Sequence, residues 1–557
     1  MLTWVLWGGL AWAGDVEPVL VSELDRATAA WTKAGEVPHY VAIAVDDVES
    51  HKIVAREGAL VNDHLEHDRW LDVDLRLGTP ELDSTHDLRG MSGLANDTRS
   101  HVPLAFEGAS VDAAIHNAVW RELDARWRAA KERIVLLRAD QAVRVAEEDP
   151  APDFEPRTGV LAHQPPPPMS IESAVWQPIL VDLSSVLASG THVVVSEVSV
   201  EGRRSETTRV DSEGSRLVYG TVLVRVALSA TIVADDGDRL VLYRSQDVHD
   251  PASLPDAAAL TTLARSLVAD AEALRAAPRA TPYTGPVLLL GRATGVFVHE
   301  VMGHRVEGQR NKDEEEGKTF LSYLGQRVLP VGVDIVDDPT VAHLAGEDLN
   351  GFYPFDDEGV PAQRAELVHD GIFRGFLMSR SPLAAFPHSN GHGRRSTGNS
   401  PAARMGNTIV SSTAGKDLPT LRRLLLAEAK AQGLPFAYIV EEIDGGFTLT
   451  GREMPNAFNV RASRTRRVWA DGRPDELVRG LDLVGTPLAA FQNVVAVGDT
   501  QQVFNGYCGA ESGWVPVSAV APAMLFRRLE FQIKEKESAR PPLLPRPDAD
   551  RNNGRRS

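Results

Sequence analysis

Alternating apolar and polar residues predict β-strands in the middle of the chain. Between Thr221 and Val233 nearly every second residue is apolar, which is the period of a half-buried strand. His192 to Val200 is also rich in residues that favour strands. Turn sequences at residues 212–214 and 235–237 flank these segments. We therefore expect long strands bounded by tight turns.

Two shorter segments also predict strands. His39 to Val45 alternates like a strand, and Val287 to Leu290 predicts a buried strand. Gly291 to Gly295 is then expected to turn the chain into the next helix.

Other segments carry the 3.6-residue period of an amphipathic helix. The predicted amphipathic helices span residues 18–36, 110–148, 260–274 and 418–432.

Prolines predict a boundary between two parts of the chain. Asp149-Pro150-Ala151-Pro152 ends the long helix, and Pro165 to Pro168 is a run of four prolines. Fixed φ angles and missing donors make such a run a semi-rigid linker. We predict an α+β fold in which an N-terminal α/β domain precedes a larger, β-rich domain. The predicted units are residues 14–164, a linker at 165–180, the β-rich domain at 181–533 (a central part, 181–280, and 281–533) and a disordered tail at 534–557.

Length and charge narrow the class of protein. The 557 residues are enough for two or more domains, each with its own core. A content of 43% hydrophobic and 24% charged residues is typical of globular proteins. The formal net charge is −19 and no long basic stretch is present, which disfavours a nucleic-acid partner.

The first residues resemble a secretion signal. Leu2 to Ala13 is apolar or small and ends in Ala11-Trp12-Ala13, a pattern that suits signal peptidase. The run is too short for a bilayer of ~30 Å, so we expect cleavage rather than stable membrane insertion. The first basic residue is Arg26, so the positive start of such signals is missing. We expect residues 1–13 to be a signal peptide and the protein to be exported to the periplasm or secreted. A mis-assigned start or an N-terminal core helix, with a cytoplasmic location, is the alternative.

The run Phe297-Val298-His299-Glu300-Val301-Met302-Gly303-His304 carries the clearest chemical signal. In the common His-Glu-x-x-His motif, two histidines four residues apart hold zinc on one helix face, with the glutamate as general base. Here the spacing is five, which rotates His304 away from His299 on a regular helix. A π-type bulge absorbed at Gly303 would restore the shared face. Two unrelated helix histidines are the alternative.

Cys508 is the only cysteine and offers a third ligand. It lies in Asn505-Gly506-Tyr507-Cys508-Gly509, where glycines suit a close approach. Two histidines and a thiolate, with an open position for water, form a known catalytic zinc set. A small buried hydrophobic side chain is the usual outcome for a lone cysteine and stays the alternative.

Together these runs resemble the TldD/PmbA metalloproteases, specifically the zinc-bearing TldD branch. The likeness covers roughly residues 180 to 530. It also includes Gly391-His392-Gly393-Arg394-Arg395, Arg404-Met405-Gly406-Asn407-Thr408 and Gly513-Trp514-Val515-Pro516-Val517. The resemblance implies that His299, His304 and Cys508 hold Zn²⁺ and that Glu300 is the catalytic base. The β-rich domain with the His-Glu-x-x-x-His helix would then be the catalytic domain.

The implied activity is that of a zinc peptidase acting on unfolded or flexible peptides. Zinc lowers the pKa of bound water to about 7, and Glu300 would take its proton and pass it to the leaving amine. His392, Arg394 and Arg395 are candidates for proton donation or oxyanion binding by resemblance only, with a salt-bridged surface arginine pair as the alternative. Glu307 either orients His304 or is a solvated helix-end carboxylate.

One segment departs from the family pattern. Glu441-Glu442-Ile443-Asp444-Gly445-Gly446-Phe447-Thr448 stands where a glycine-rich sequence ending in Gly-Gly-Gly-Gln is usual. That segment is expected near the substrate cleft, so substrate preference is the property most open to change. The resemblance also implies a dimer, either a homodimer or a heterodimer with a PmbA-like subunit. An inactive peptide-binding or assembly protein with a structural zinc is the competing hypothesis, but such a zinc would not need Glu300.

Overall fold

The computed structural model describes residues 16–86, 101–105, 108–141, 149–313, 316–452 and 457–534. The signal peptide predicted at residues 1–13 and residues 535–557 of the predicted tail lie outside these ranges. The described chain combines helices with two large sheets, so the predicted α+β class is confirmed. Among the described helices, none is both long enough and apolar enough to cross a membrane.

The first half of the chain builds a seven-stranded sheet in the order β5-β2-β1-β7-β8-β6, with β9 paired to β8. Helices α1 and α2 pack on the beginning of β1 and the end of β2. Helices α3 and α4 pack on the end of β1 and on β7 and β8. The elements are α1 (Glu17–Ala34), β1 (Tyr40–Arg56), β2 (Ala59–Arg76), β3 (Gly78–Thr79), β4 (Leu82–Asp83), β5 (Val102–Pro103), α2 (Val111–Gln141), β6 (Leu161–Gln164), α3 (Ser173–Ala188), β7 (Val193–Asp211), β8 (Arg216–Val233), β9 (Arg239–Val248) and α4 (Ala257–Ala276).

The predicted strand and helix patterns appear where the period was regular. The alternating residues of β8, from Val222 to Ile232, are buried in the core. The helices predicted at residues 260–274 and 418–432 form with nearly those bounds. Short-range periodicity therefore predicts these elements well, because side chains at the repeat distance lie on the same face of the helix or strand, and that face packs against the core.

The linker predicted at residues 165–180 does not separate two sheets. β1 pairs with β7 from Ala42 to Arg56, so strands on both sides of the proline run belong to one sheet. Arg204 on β7 donates to the carbonyls of Pro166 and Pro167 and holds the run against that sheet. Residues 181–280 therefore belong to the N-terminal sheet and its helices, and not to the second domain as predicted. Proline fixes local φ angles but carries no information about which distant strands pair.

The second half builds an eleven-stranded sheet in the order β10-β19-β20-β22-β24-β18-β11-β14-β15, with β21 paired to β20 and β23 to β24. β10 also pairs with β24, so five strands close a ring. The elements are β10 (Tyr283–Leu289), α5 (Gly291–Val301), β11 (Val333–Asp337), β12 (His343–Leu344), β13 (Glu347–Asp348), β14 (Ala365–His369), β15 (Ile372–Phe373), β16 (Gly393–Arg394), β17 (Ala402–Ala403), β18 (Asn407–Ser412), α6 (Leu418–Ala431), β19 (Phe436–Thr448), β20 (Phe458–Trp469), β21 (Glu476–Val478), β22 (Leu481–Gly485), α7 (Pro487–Gln492), β23 (Val494–Ala510) and β24 (Gly513–Ile533).

Helix α5 packs closely against β24. A Cβ atom on Gly291 would lie 2.5 Å from the carbonyl oxygen of Ala521, and one on Gly295 would lie 2.9 Å from that of Ala519. The turn predicted at Gly291 to Gly295 is therefore wrong, since α5 already begins at Gly291. These glycines allow the helix to approach the strand, and Phe297 packs against Phe458 and Phe526 in the core.

Candidate metal centre

The helix that carries His299 and Glu300 ends immediately after them. α5 stops at Val301, and a 3₁₀ turn at Gly303–Arg305 follows. The tighter turn replaces the predicted π-type bulge, and it rotates His304 back towards His299. The two imidazole rings lie 5.2 Å apart between centroids, nearly perpendicular. The five-residue spacing is therefore reconciled by ending the α-helix rather than by widening it.

Met405 and Arg305 lie against this abrupt end. A Cβ atom on Gly303 would lie 2.0 Å from Sδ of Met405, so a side chain there would require Met405 or the turn to move. Arg305 is buried and donates from Nη1 to the carbonyls of Glu300 and Val301. These carbonyls have lost their helical partners, and a cation also suits the negative end of the helix dipole.

Cys508 meets the two histidines from the other end of the sequence. It lies on β23, and its Sγ is 3.4 Å from Nε2 of His304. One ligand atom from each of His299, His304 and Cys508 lies within 4.8 Å of the other two, and all three residues are buried. Tetrahedral zinc with ordinary bond lengths would place the sulfur and nitrogen ~3.5 Å apart. The donor set and its spacing therefore fit zinc.

The site is electrostatically prepared to offer a thiolate. Burial raises the pKa of Cys508, but the adjacent His299 and His304 outweigh it and hold that pKa well below its ordinary value. Burial lowers the pKa of His304, yet Glu307 and Cys508 raise it to about 10. Thiolate, not thiol, is the form that ligates metal.

Glu307 contacts the ring nitrogen of His304 that does not face Cys508. Its side chain is fully buried, and Oε1 lies 3.3 Å from Nδ1 of His304. Burial raises the pKa of Glu307, but Arg310, His304 and Arg404 outweigh it and lower the value to about 2. The contact at Nδ1 leaves Nε2 directed to Cys508. Of the two alternatives for Glu307, the structure favours the orienting carboxylate over a solvated helix end.

Arg404 links this carboxylate to the cysteine turn. Its Nε lies 3.3 Å from Oε1 of Glu307, and Nη2 donates to the carbonyl of Cys508 at 2.7 Å. Nη1 donates to Ser512 Oγ and to the carbonyl of Gly513. The run that begins with Arg404 matches the family, but the sequence alone predicts no role for Arg404. Its partners Glu307 and Cys508 lie more than 90 residues away on either side, so only the fold shows the contacts.

Glu300 faces the cleft that contains the ligands. The cleft has a volume of about 570 Å³ and opens between the end of β19 and the β23–β24 turn. A Cβ atom on Gly446 would come within 3.1 Å of Cγ of Glu300, so β19 passes directly beside the carboxylate. Gly446, Phe447 and Thr448 line the cleft, as predicted for the segment that departs from the family pattern.

The other predicted site residues lie elsewhere. His392 is fully buried, with Nε2 3.2 Å from Oδ1 of Asp337, and does not line the cleft. Arg395 pairs with Asp46 and Asp72, and Arg394 donates to the carbonyl of Met405. The structure thus places none of the three for proton donation or oxyanion binding.

The alternative of a salt-bridged surface pair is also wrong, because Arg394 and Arg395 are both buried. They line a second cavity of about 440 Å³. This segment forms the short β16–β17 ladder, and a motif match alone does not reveal its burial.

The family model and the curated proteins to which this chain is similar all carry metallopeptidase or metalloprotease names. Residues 282–533 match the family model described as PmbA/TldA metallopeptidase C-terminal domain. A "Metalloprotease" of Methanothermobacter thermautotrophicus is 28% identical over 374 residues, which cover 65% of this chain and 74% of that protein. A "Metalloprotease TldD homolog" of Haemophilus influenzae is 30% identical over 245 residues, covering 43% and 46%. A "Zinc metalloprotease TldD homolog" of Saccharolobus solfataricus is 23% identical over 255 residues, covering 45% and 52%. The matched segment thus spans about half the length of the last two relatives.

Solved structures show the same fold. A putative modulator of a DNA gyrase from Thermotoga maritima superposes with a TM-score of 0.61 at 14% identity, covering 92% of this chain and 100% of that one. TldE from Thermococcus kodakarensis superposes with a TM-score of 0.60 at 13% identity, covering 91% and 99%. At such identities the likeness establishes the architecture alone.

Proposed function

We propose that this chain, which belongs to the PmbA/TldD family of metallopeptidases, is a zinc-dependent peptidase that hydrolyses unfolded or flexible peptides. One observation carries the proposal. The ligand atoms of His299, His304 and Cys508 converge within 4.8 Å on the wall of a cleft that also contains Glu300. A structural zinc would normally have four protein ligands and would not need a carboxylate beside them.

The chemistry of the donor set supports zinc. Two imidazoles and a thiolate leave one tetrahedral position for water or substrate, which is the arrangement of catalytic rather than structural zinc sites. When bound, zinc supplies a lowered pKa for a water molecule and polarisation of the carbonyl group.

The residues of this chain would transfer the proton and hold the reacting groups in position. Glu300 accepts a proton from the attacking water and passes it to the leaving amine as the peptide bond breaks. Arg305 holds the backbone of Glu300 in place through its carbonyl, and Glu307 fixes the ring of His304. Because the ligands and Glu300 are buried at the bottom of the cleft, a flexible segment can reach them more readily than a folded surface.

The variant Glu300→Gln tests the proposal. It keeps the shape of the side chain and loses the base, so zinc content should stay at one ion per chain while turnover falls by ~10²–10⁴-fold. Metal analysis and digestion of unstructured peptides measure the two properties separately. Full activity in Glu300→Gln would refute the role of the base. A wild-type protein that holds zinc and cleaves no peptide would favour the binding or assembly protein instead.

Two expectations concern assembly and location and stay predictions. The family resemblance implies a dimer, which light scattering of the purified protein measures. The N-terminal run implies export, and the mature protein would then begin near Gly14, which N-terminal sequencing of the native protein would show.

A further inference from the structure

Three aromatic side chains are exposed inside the candidate active-site cleft. Phe447, Tyr507 and Trp514 are 58%, 45% and 69% exposed, and all three line the cleft with the metal ligands. Single exposed apolar residues are ordinary on protein surfaces. Three rings from three strands around one cleft form an apolar surface of the kind that binds a ligand.

These rings border the reacting groups directly. Phe447 follows Gly446, where a Cβ atom would lie 3.1 Å from Cγ of Glu300. Tyr507 precedes the ligand Cys508, and Trp514 is the cross-strand partner of Gly509 on the other side of that ligand. A scissile peptide bond must lie between Glu300 and the ligands. The side chains next to that bond would therefore meet the aromatic rings.

Neighbouring groups hold two of the rings in position. A Cβ atom on Gly509 would lie 2.9 Å from the indole of Trp514, so glycine there lets the indole lie against the strand. The guanidinium of Arg225 lies 5.5 Å from the ring centroid of Tyr507, within the range of a cation–π contact. Rings held before substrate arrives lose less conformational entropy on binding.

Two of the rings also border the second cavity. Tyr507 and Trp514 line both the cleft of about 570 Å³ and the neighbouring cavity of about 440 Å³. The two spaces are therefore adjacent along these rings, which suits an extended peptide better than a single amino acid.

We propose that Phe447, Tyr507 and Trp514 form a binding site for a bulky apolar side chain of the substrate, next to the bond that is cleaved. The protein then prefers to cleave beside aromatic or large aliphatic residues. This inference rests on the proposed peptidase function and adds the class of substrate. Phe447 lies in the segment that departs from the glycine-rich family pattern, so the preference belongs to this chain in particular.

Two unstructured peptides that differ at one position test the inference. One carries Phe and the other Ser beside a common cleavage site. Wild-type kcat/KM should be ~10-fold or more higher for the Phe peptide, because a filled apolar pocket typically discriminates by that factor. Phe447→Ala and Trp514→Ala should each reduce kcat/KM for the Phe peptide ~3–10-fold more than that for the Ser peptide.

A matched control separates the cleft from a general effect of losing an exposed ring. Trp120 on α2 is 50% exposed and does not line the cleft, so Trp120→Ala should leave both peptides unaffected. Circular dichroism establishes that each variant is folded. Equal cleavage of both peptides by the wild type and by the variants would overturn the aromatic site while leaving the peptidase function intact.

Binding gives an answer that does not depend on turnover. The Glu300→Gln protein, which should bind but not cleave, is titrated with the labelled Phe peptide by fluorescence anisotropy. Adding Phe447→Ala should raise Kd ~3–10-fold. An unchanged Kd overturns the inference, whether or not the wild type proves to be a peptidase.

Discussion

The change Glu307→Gln should weaken zinc binding although Glu307 is not one of the proposed ligands. The substitution keeps the shape of the side chain and removes its charge. Glu307 lies 3.3 Å from Nδ1 of His304, 2.7 Å from Nη2 of Arg310 and 3.3 Å from Nε of Arg404. The carboxylate therefore orients one candidate ligand and compensates two guanidinium groups, of which that of Arg404 is fully buried.

The structure indicates the size of both effects. A carboxylate that orients a ligating histidine typically contributes ~10–100-fold to metal affinity, so the zinc Kd should rise by that factor. Removing one partner of a buried ion pair costs about 3–5 kcal/mol of unfolding free energy. Glutamine still accepts a hydrogen bond, so the loss should lie near the lower value. The loss of charge compensation should be largest at Arg404, because its remaining hydrogen-bond partners are uncharged carbonyls and a hydroxyl.

Competition with a chromophoric chelator measures the zinc Kd, and urea unfolding measures stability. Glu316→Gln is the matched control, since Glu316 also pairs with Arg310, at 2.7 Å, but its partner is that arginine rather than His304. Its zinc affinity should equal that of the wild type. If Glu307→Gln bound zinc as tightly as the wild type, or if both variants lost affinity equally, Glu307 would not act by orienting His304.

Three other changes test separate parts of the structure. Cys508→Ser should abolish stable zinc binding, because a hydroxyl replaces the thiolate poorly, and retained metal by elemental analysis would exclude Cys508 as a ligand. Gly303→Ala places a methyl group 2.0 Å from Sδ of Met405 and should cost about 1–3 kcal/mol of stability, which adding Met405→Ala should partly recover in urea unfolding. Burial raises the pKa of Asp83, but Arg76, His39 and Thr85 together outweigh burial and hold that pKa below its ordinary value of 3.8. Its stabilising effect is therefore full above pH 3.8 and lost as the pH falls towards the lowered pKa, so Asp83→Asn should flatten the pH dependence of unfolding over that interval.

The sequence alone identified the elements whose side chains repeat with a regular period. The strand predicted from Thr221 to Val233 lies within β8, and the helices predicted at residues 260–274 and 418–432 form as α4 and α6. It also identified His299, His304 and Cys508 as a candidate ligand set, through a local motif and the only cysteine. The elements form where they were predicted and the three candidate side chains converge, although their role as ligands stays a prediction. The information for both lies within a few residues, or in a residue type that occurs once.

Tertiary structure decided what depends on distant neighbours. The pairing of β1 with β7 joins residues about 150 positions apart and overrides the boundary that the prolines indicated. The 3₁₀ turn that places His304 packs against Met405, which is distant in the sequence.

The burial of His392, Arg394 and Arg395 outside the metal cleft likewise follows from long-range packing. A motif can name residues that lie near a site, but it cannot tell which of them face the substrate. That choice is made by strand pairing and core packing, whose energies come from partners far away in the sequence.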